Sequence, residues 1–144
     1  MDFSNQIAEE GLSSYVNIHE AIPYPELLKV LRNYRVGLIP FLNMEKYQKN
    51  IATKMFDYMA AGLAVVASDL PPQRLVIEAA GCGKLIEPED PIAFASAIRD
   101  LLTDPEEAYK MGNKGWSAIQ NQYCWEEEEK KLITLYNELL EQGR

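Results

Sequence analysis

Three short apolar runs, separated by segments with helical periodicity, constrain the fold of this chain more than any other feature. They occupy residues 36–41 (VGLIPF), 63–68 (LAVVAS) and 83–88 (GKLIEP). The first two runs are apolar on both faces and are bounded by turn residues, which is typical of a strand covered by helices on both sides, and the third reads as a short strand. A weaker candidate for a fourth strand is residues 16–18.

Helical patterns fill the intervals between these runs. Two start signals, Asp90-Pro91 and Asp104-Pro105, combine an acidic N-cap with proline at the first helical position. The predicted helices are residues 3–12, a helix with Pro25 in its first turn, 53–61 before Gly62, 70–80 before Gly81, 91–103, 105–122 and 125–142. The last of these carries a leucine-rich stripe and is expected to pack back on the domain.

This alternation predicts an α/β domain with a Rossmann-like parallel sheet flanked by helices. Ligands of such sheets bind at the carboxyl ends of the strands, here the loops after Ile18, Phe41, Ser68 and Ile86. Four strands are few for this architecture, and no strand precedes the first helix. The sheet is therefore expected to be truncated on its N-terminal side.

Composition limits the function classes. The 144 residues are 47% hydrophobic and 25% charged, as in one soluble globular domain. A net charge of -8 argues against nucleic-acid binding. Cys82 and Cys124 lie far apart and are predicted to be free thiols in a reducing compartment. Residues 1–11 lack an apolar run, so the expected location is cytoplasmic, and nothing supports membrane contact.

The strongest chemical signal is the start of the helix at residues 53–61. A helix N-terminus carries unpaired N–H groups and partial positive charge, and Lys49 and Lys54 lie close to it in sequence, so it could hold a diphosphate. One turn further, Asp57 could accept hydrogen bonds from a ribose diol. The alternative is that Lys54 and Asp57 form an ordinary surface ion pair.

The segment TKMFDYMAAGLAVVASDLPPQRLVIEAAGCGKLIEPEDPIAFASAIRDLL resembles the carboxyl-terminal, donor-binding domain of retaining GT-B glycosyltransferases. The resemblance covers about residues 16–136. It implies transfer of a sugar from a nucleoside diphosphate sugar to an acceptor hydroxyl, with retained anomeric configuration and without a metal or other cofactor. The resemblance identifies no catalytic residue in this chain, and the residues that it assigns are predicted to bind the donor.

The resemblance assigns roles to individual positions. Asp57 matches the acid that binds the donor ribose, whereas Lys49 stands where a second acid normally contacts the sugar. Asn50 and Lys54 match a subgroup in which an Asn and a Lys replace that pattern, with Lys54 as the phosphate ligand. The remaining predicted donor-binding residues are Thr53 at the helix start and Ile22 and Pro23 in the loop that holds the nucleobase.

Other polar features receive structural interpretations. His19 is expected at the surface, residues 69–74 as a turn and helix cap, Cys82 as a structural thiol, and EEEEKK as a solvated face. The family's first donor-domain strands and its amino-terminal acceptor domain have no counterpart in the sequence. The chain alone is therefore expected to be inactive and either to rearrange, to pair with a partner or to expose a sheet edge. The alternatives are a non-catalytic nucleotide-sugar-binding or interaction module, and a flavodoxin-like regulatory domain.

Overall fold

A computed structural model describes residues 3–142. Its core is a sheet of three parallel strands in the order β1-β2-β3, with Val36 opposite Ala64 and Val65 opposite Gly83. The predicted parallel sheet is confirmed. The predicted strand at 16–18 is wrong, because Val16 and Ile18 are solvent-exposed and pair with no strand in the described part of the chain.

The structure of residues 3–142 contains eight helices and three strands. They are α1 (Phe3–Glu9), α2 (Tyr24–Leu31), β1 (Val36–Ile39), α3 (Glu45–Lys49), α4 (Lys54–Ala61), β2 (Ala64–Ser68), α5 (Pro71–Ala80), β3 (Gly83–Ile86), α6 (Pro91–Thr103), α7 (Pro105–Asn121) and α8 (Trp125–Gln142). The short helix α3 falls where the sequence predicted a loop. Strand β1 ends at Ile39 because Pro40 offers no N–H for a sheet hydrogen bond.

The capping residues act as their sequence signals predict. Asp90 Oδ1 accepts a hydrogen bond from Ala93 N at 2.9 Å, and Asp104 Oδ1 accepts one from Glu107 N at 3.0 Å. Gly62 ends α4 in the left-handed conformation, with φ of 79°. This turn reverses the chain within two residues, so that α4 lies antiparallel to β2.

The centre of the domain is β2, all five residues of which are buried. Val65 and Ala67 pack into a cluster with α4, α5 and α7, whereas Ala64 and Val66 pack against α6 and the start of α7. Successive side chains of a strand point to opposite faces, so this one strand supplies the middle of two apolar layers. Tyr58 of α4 packs directly against Gly37 of β1, where a Cβ would lie 2.3 Å from the ring.

Strand β1 and helix α8 both leave apolar surface exposed. Strand β1 is an edge of the sheet, and its Leu38 is exposed. Helix α8 was expected to pack back on the domain, but its apolar stripe is solvent-exposed. The side chains of this stripe, Leu132, Ile133, Leu135, Tyr136, Leu139 and Leu140, are at least 44% exposed. Packing at this end of the chain stops at Tyr123, which contacts Phe56, because other helices already cover the sheet there.

Both cysteines are free thiols, as predicted. Among the described helices, none combines the length and the apolar composition that crossing a bilayer requires.

Candidate functional site

The candidate site lies at the carboxyl edge of the sheet, where α4 begins. Because α4 runs antiparallel to β2, its first residues lie at the level of Ser68, where β2 ends. Met55 and Met59 are fully buried and hold the helix on the sheet. The same helix therefore anchors its apolar face in the core and presents its N-terminus at the edge where parallel sheets bind ligands.

The N-terminus of α4 has free hydrogen-bond donors. Thr53 is the N-cap, but its side chain makes no capping bond. Met55 N and Phe56 N donate to Ala52 O and Thr53 O, whereas the N–H groups of Thr53 and Lys54 have no acceptor within residues 3–142. Two donors and the positive end of the helix dipole are thus available to an anion.

Lys54 adds a mobile positive charge at this position. Its side chain is exposed and forms no ion pair with a carboxylate in the described part of the chain. The surface ion pair with Asp57, the alternative interpretation of this spacing, does not form.

Asp57 instead accepts a hydrogen bond from Tyr24. The phenol oxygen lies 3.1 Å from Asp57 Oδ1, and this bond together with the negative charge raises the pKa of Tyr24. Tyr24 begins α2, directly after Ile22 and Pro23, and α2 packs on α4. The predicted nucleobase loop and the predicted ribose acid are therefore neighbours, connected through Tyr24.

The loop before α4 is held at both of its ends. Gln73 is fully buried in α5 and donates from Nε2 to Asn50 O at 3.2 Å. The Asn50 side chain donates to Lys46 O at 2.9 Å and so caps the end of α3. On the other side, Ser68 Oγ donates to Phe41 O at 2.6 Å, and the Phe41 ring stacks on Tyr47. The segment between β1 and α4 is thereby fixed to the ends of β2 and α5.

Lys49, the second predicted phosphate-binding lysine, is already paired. Its Nζ lies 2.6 Å from Glu45 Oε1 within α3, and both side chains are largely exposed. An exposed pair four residues apart contributes only a few tenths of a kcal/mol, roughly 0.3–0.5, so an anion could compete for this lysine. Lys54 remains the better placed of the two.

Arg74 and Asp69 at this edge neutralise each other. Arg74 Nε and Nη2 donate to the two carboxylate oxygens of Asp69 at 2.6 and 2.7 Å, and this pairing raises the pKa of Arg74.

His19 is exposed, as predicted. Cys82 has no exposed surface, and burial raises the pKa of its thiol to about 11, so the thiol is protonated near neutral pH and is no nucleophile.

An apolar cavity of about 350 Å³ also opens at this edge, on the α6 side of the sheet. It lies between Leu38 and Phe41 on one wall and Phe94 and Ile98 on the other. None of the predicted donor-binding residues lines it. Within residues 3–142, no three His, Cys, Asp or Glu side chains come together in a way that could hold a metal ion.

Two residues of this edge were not predicted from the sequence. Tyr24 had a weak signal, because the prolines on either side of it restrict its backbone. Gln73 had none, since only the tertiary structure brings α5 beside the end of α3.

The amino-acid sequence matches a known family. The family model described as "Glycosyl transferases group 1" matches residues 2–117, most of the chain. The chain belongs to the group 1 glycosyl transferases. The flavodoxin-like regulatory domain considered from the sequence is thereby set aside.

This group 1 glycosyl transferase is similar to bacterial enzymes. It is 27% identical over 135 residues to the D-inositol 3-phosphate glycosyltransferase of Corynebacterium urealyticum, covering 93% of this chain and 30% of that protein. It is 24% identical over 135 residues to the MMP alpha-(1->4)-mannosyltransferase of Mycolicibacterium hassiacum, covering 93% and 32%. The chain therefore spans about a third of the length of the curated relatives it matches.

Solved structures share the fold of this group 1 glycosyl transferase. Sucrose-phosphate synthase from Thermosynechococcus elongatus superposes with a TM-score of 0.85 at 24% identity, over 97% of this chain and 34% of that chain. The C-terminal domain of the group 1 family protein LpcC from Francisella tularensis superposes with 0.69 at 18% identity, over 85% and 60%. The architecture is that of a Rossmann-like GT-B carboxyl-terminal domain.

Proposed function

We propose that this chain binds the nucleoside diphosphate sugar of a retaining, metal-independent glycosyl transfer. The observation that carries the proposal is the start of α4, which combines two N–H groups and a lysine, Lys54, that have no partner within residues 3–142 with Asp57 in the same turn. Helix N-termini with a nearby lysine are suited to a diphosphate, because the dipole, the N–H groups and the ammonium all favour negative charge.

In this proposal each predicted residue has one task. The diphosphate lies at the N–H groups of Thr53 and Lys54, and the Lys54 ammonium contacts a phosphate oxygen. Asp57 accepts from the ribose hydroxyls with the oxygen that Tyr24 leaves free. The base lies against Ile22 and Pro23, which precede α2. Asn50 contributes by fixing the loop through its bond to Lys46 O.

Leaving-group stabilisation would be the chemical contribution of this site. As the sugar departs, negative charge grows on the diphosphate, and donors already oriented toward it stabilise the transition state more than the ground state. The acceptor, whose hydroxyl receives the sugar, would bind to a part of the enzyme outside this chain, which spans about a third of its relatives' length. We expect the chain alone to bind the donor without turning it over, in the cytoplasm.

The test is calorimetric titration of the 144-residue chain with UDP, GDP, ADP and the matching nucleosides. We expect one diphosphate to bind, and Lys54→Ala to weaken it at least about tenfold, because one charge-assisted hydrogen bond contributes about 1.5–3 kcal/mol. Nucleoside affinity should change less. Lys110→Ala, an exposed lysine of α7, is the matched control.

Two outcomes would overturn the proposal. Absence of binding by all three diphosphates to the folded chain contradicts donor binding. Equal losses for nucleoside and diphosphate in Lys54→Ala place the lysine away from the phosphates. Sugar transfer after joining the chain to a complementing acceptor part distinguishes an enzyme from a binding module.

A further inference from the structure

A second cavity lies at the opposite end of the sheet. It has a volume of about 550 Å³, within the range of small-molecule sites. Arg35 precedes β1 and Gly62 precedes β2, and both line the cavity, so it opens at the amino ends of the strands. Five residues of β2, roughly 17 Å of strand, separate it from the start of α4. It is therefore distinct from the proposed donor site.

Two arginines line this cavity, and neither has a carboxylate partner within residues 3–142. Arg32 caps the end of α2, and the Arg35 carbonyl accepts from Ala64 N at 3.0 Å, so both backbones are fixed. Neither side chain forms an ion pair within residues 3–142, although the chain carries a net charge of -8. Guanidinium groups bind phosphate and carboxylate through paired hydrogen bonds, so two of them beside one cavity favour an anion.

Three aromatic residues also line this cavity. Tyr34, Tyr109 and Trp116 all line the cavity and are 51%, 70% and 49% exposed. They take no part in the ring pairs of the described core, Phe41 with Tyr47 and Phe56 with Tyr123. Three such rings around one concave surface leave apolar area open to solvent, which marks a contact surface for the flat face of a ligand.

A side-chain amide in the cavity wall favours a ring that carries hydroxyl groups. Asn113 of α7 also lines the cavity, and its amide can donate to and accept from hydroxyl groups. The first turn of α7 carries Glu106 and Glu107 and has Asp104 as its N-cap, and none of these three acids lines the cavity. Asp104 there already accepts from Glu107 N, so its charge is partly used by the helix cap.

We propose that this cavity binds a phosphate monoester of a ring-bearing alcohol, either a sugar phosphate or a nucleoside monophosphate. The phosphate pairs with Arg32 and Arg35, the ring contacts both Trp116 and Tyr109, and Asn113 binds a ring hydroxyl. The site is independent of the proposed donor site, and each can fail without the other.

The experiment uses fluorescence of Trp116 in the 144-residue chain carrying Trp125→Phe, since Trp125 is the other tryptophan and is 66% exposed. Glucose 6-phosphate, UMP, inorganic phosphate and glucose are titrated separately. We expect a saturable change with glucose 6-phosphate or UMP, and weaker binding of inorganic phosphate and of glucose. The monoester that binds more tightly shows whether the ligand is a sugar phosphate or a nucleoside monophosphate.

Variants locate the site. Arg32→Gln with Arg35→Gln should weaken the monoester at least tenfold, whereas Arg99→Gln, an exposed arginine of α6, should not. Lys54→Ala should also leave this affinity unchanged, which separates the cavity from the donor site. Tyr109→Ala, at an exposed position, should weaken the monoester more than inorganic phosphate.

The proposal is overturned if neither monoester binds, if inorganic phosphate binds as tightly as the monoesters, or if the double arginine variant binds like Arg99→Gln. A circular dichroism spectrum confirms that each variant is folded. Because both arginine side chains are exposed, their replacement is expected to leave the core intact.

Discussion

Tyr24 and Asp57, 33 positions apart in the sequence, are joined by a hydrogen bond of 3.1 Å between the phenol hydroxyl and the carboxylate. This bond links the start of α2 to the first turn of α4. It holds one oxygen of the proposed ribose acid and leaves the other free to accept a further hydrogen bond.

Removing that hydroxyl should affect ligand affinity more than folding. Tyr24 is 72% exposed, so Tyr24→Phe is expected to change the free energy of unfolding by less than about 0.5 kcal/mol. We expect it to weaken a bound nucleoside diphosphate about threefold, and Asp57→Ala about tenfold or more, by calorimetry. A Tyr24→Phe loss as large as that of Asp57→Ala would assign the ligand contact to the tyrosine itself.

Variants at Gln73 test whether its buried side-chain carbonyl destabilises the folded protein. Its Nε2 donates to Asn50 O, but its Oε1 is buried and meets no donor in the described structure. Gln73→Ala is expected to lower the free energy of unfolding by about 2 kcal/mol through lost packing and a lost hydrogen bond. Gln73→Leu should recover most of that loss, because it fills the space without an unpaired carbonyl. Urea unfolding measures both, and equal losses would contradict the unpaired carbonyl.

Cys82 should make stability fall at high pH. Burial raises the pKa of its thiol from 9 to about 11, so the folded state holds the proton more tightly than the unfolded state. The resulting stabilisation, on the order of 2 kcal/mol, is complete below pH 9 and is lost as the pH rises toward 11. Raised tyrosine pKa values also make stability fall at high pH. The pH dependence of the free energy of unfolding is therefore compared between the wild type and Cys82→Ala. Identical slopes between pH 9 and 11 would exclude the thiol as a cause.

The same burial predicts slow alkylation. Iodoacetamide at pH 8 should modify Cys124, which is partly exposed, well before Cys82, as peptide mass spectrometry would show. Rapid modification of Cys82 in the folded chain would contradict the packing around β3.

Replacing Glu89 with glycine should increase the stability of the folded protein. Its φ is 65°, the left-handed region in which side chains are strained by about 1–2 kcal/mol. Glu89→Gly relieves that strain but gains freedom in the unfolded chain, so a net stabilisation of about 0.5 kcal/mol is expected. Glu89→Ala, which keeps the strain, is the control and should give no increase. Thermal unfolding compares the two, and a gain in both would assign the effect to the lost charge.

Gly112 should tolerate no side chain. A Cβ there would lie 2.0 Å from the carbonyl oxygen of Gly62, at the turn between α4 and β2. Gly112→Ala is therefore expected to cost more than about 2 kcal/mol despite the better helix propensity of alanine. Asn113→Ala, one residue further and exposed, should be neutral or slightly stabilising. Equal midpoints of urea unfolding for the two variants would show that the helices separate easily.

Local patterns in the chain were sufficient for much of the fold and of the candidate site. The apolar run of β2, the proline-bearing starts at Asp90 and Asp104, and the left-handed turns at Gly62 and Gly81 depend on residues within a few positions. The same is true of the N-terminus of α4, because helix capping and dipole are properties of one turn.

Long-range contacts decided the rest. Residues 16–18 have strand-like composition but form no strand, because a strand needs a neighbouring edge and none of the described strands lies beside them. Likewise, the Asp57 carboxylate met Tyr24 rather than Lys54, and Gln73 met Asn50, through the packing of α2 on α4 and of α5 on α3. Sequence periodicity reports which face of an element is apolar, whereas only the packed chain determines which side chains that face meets.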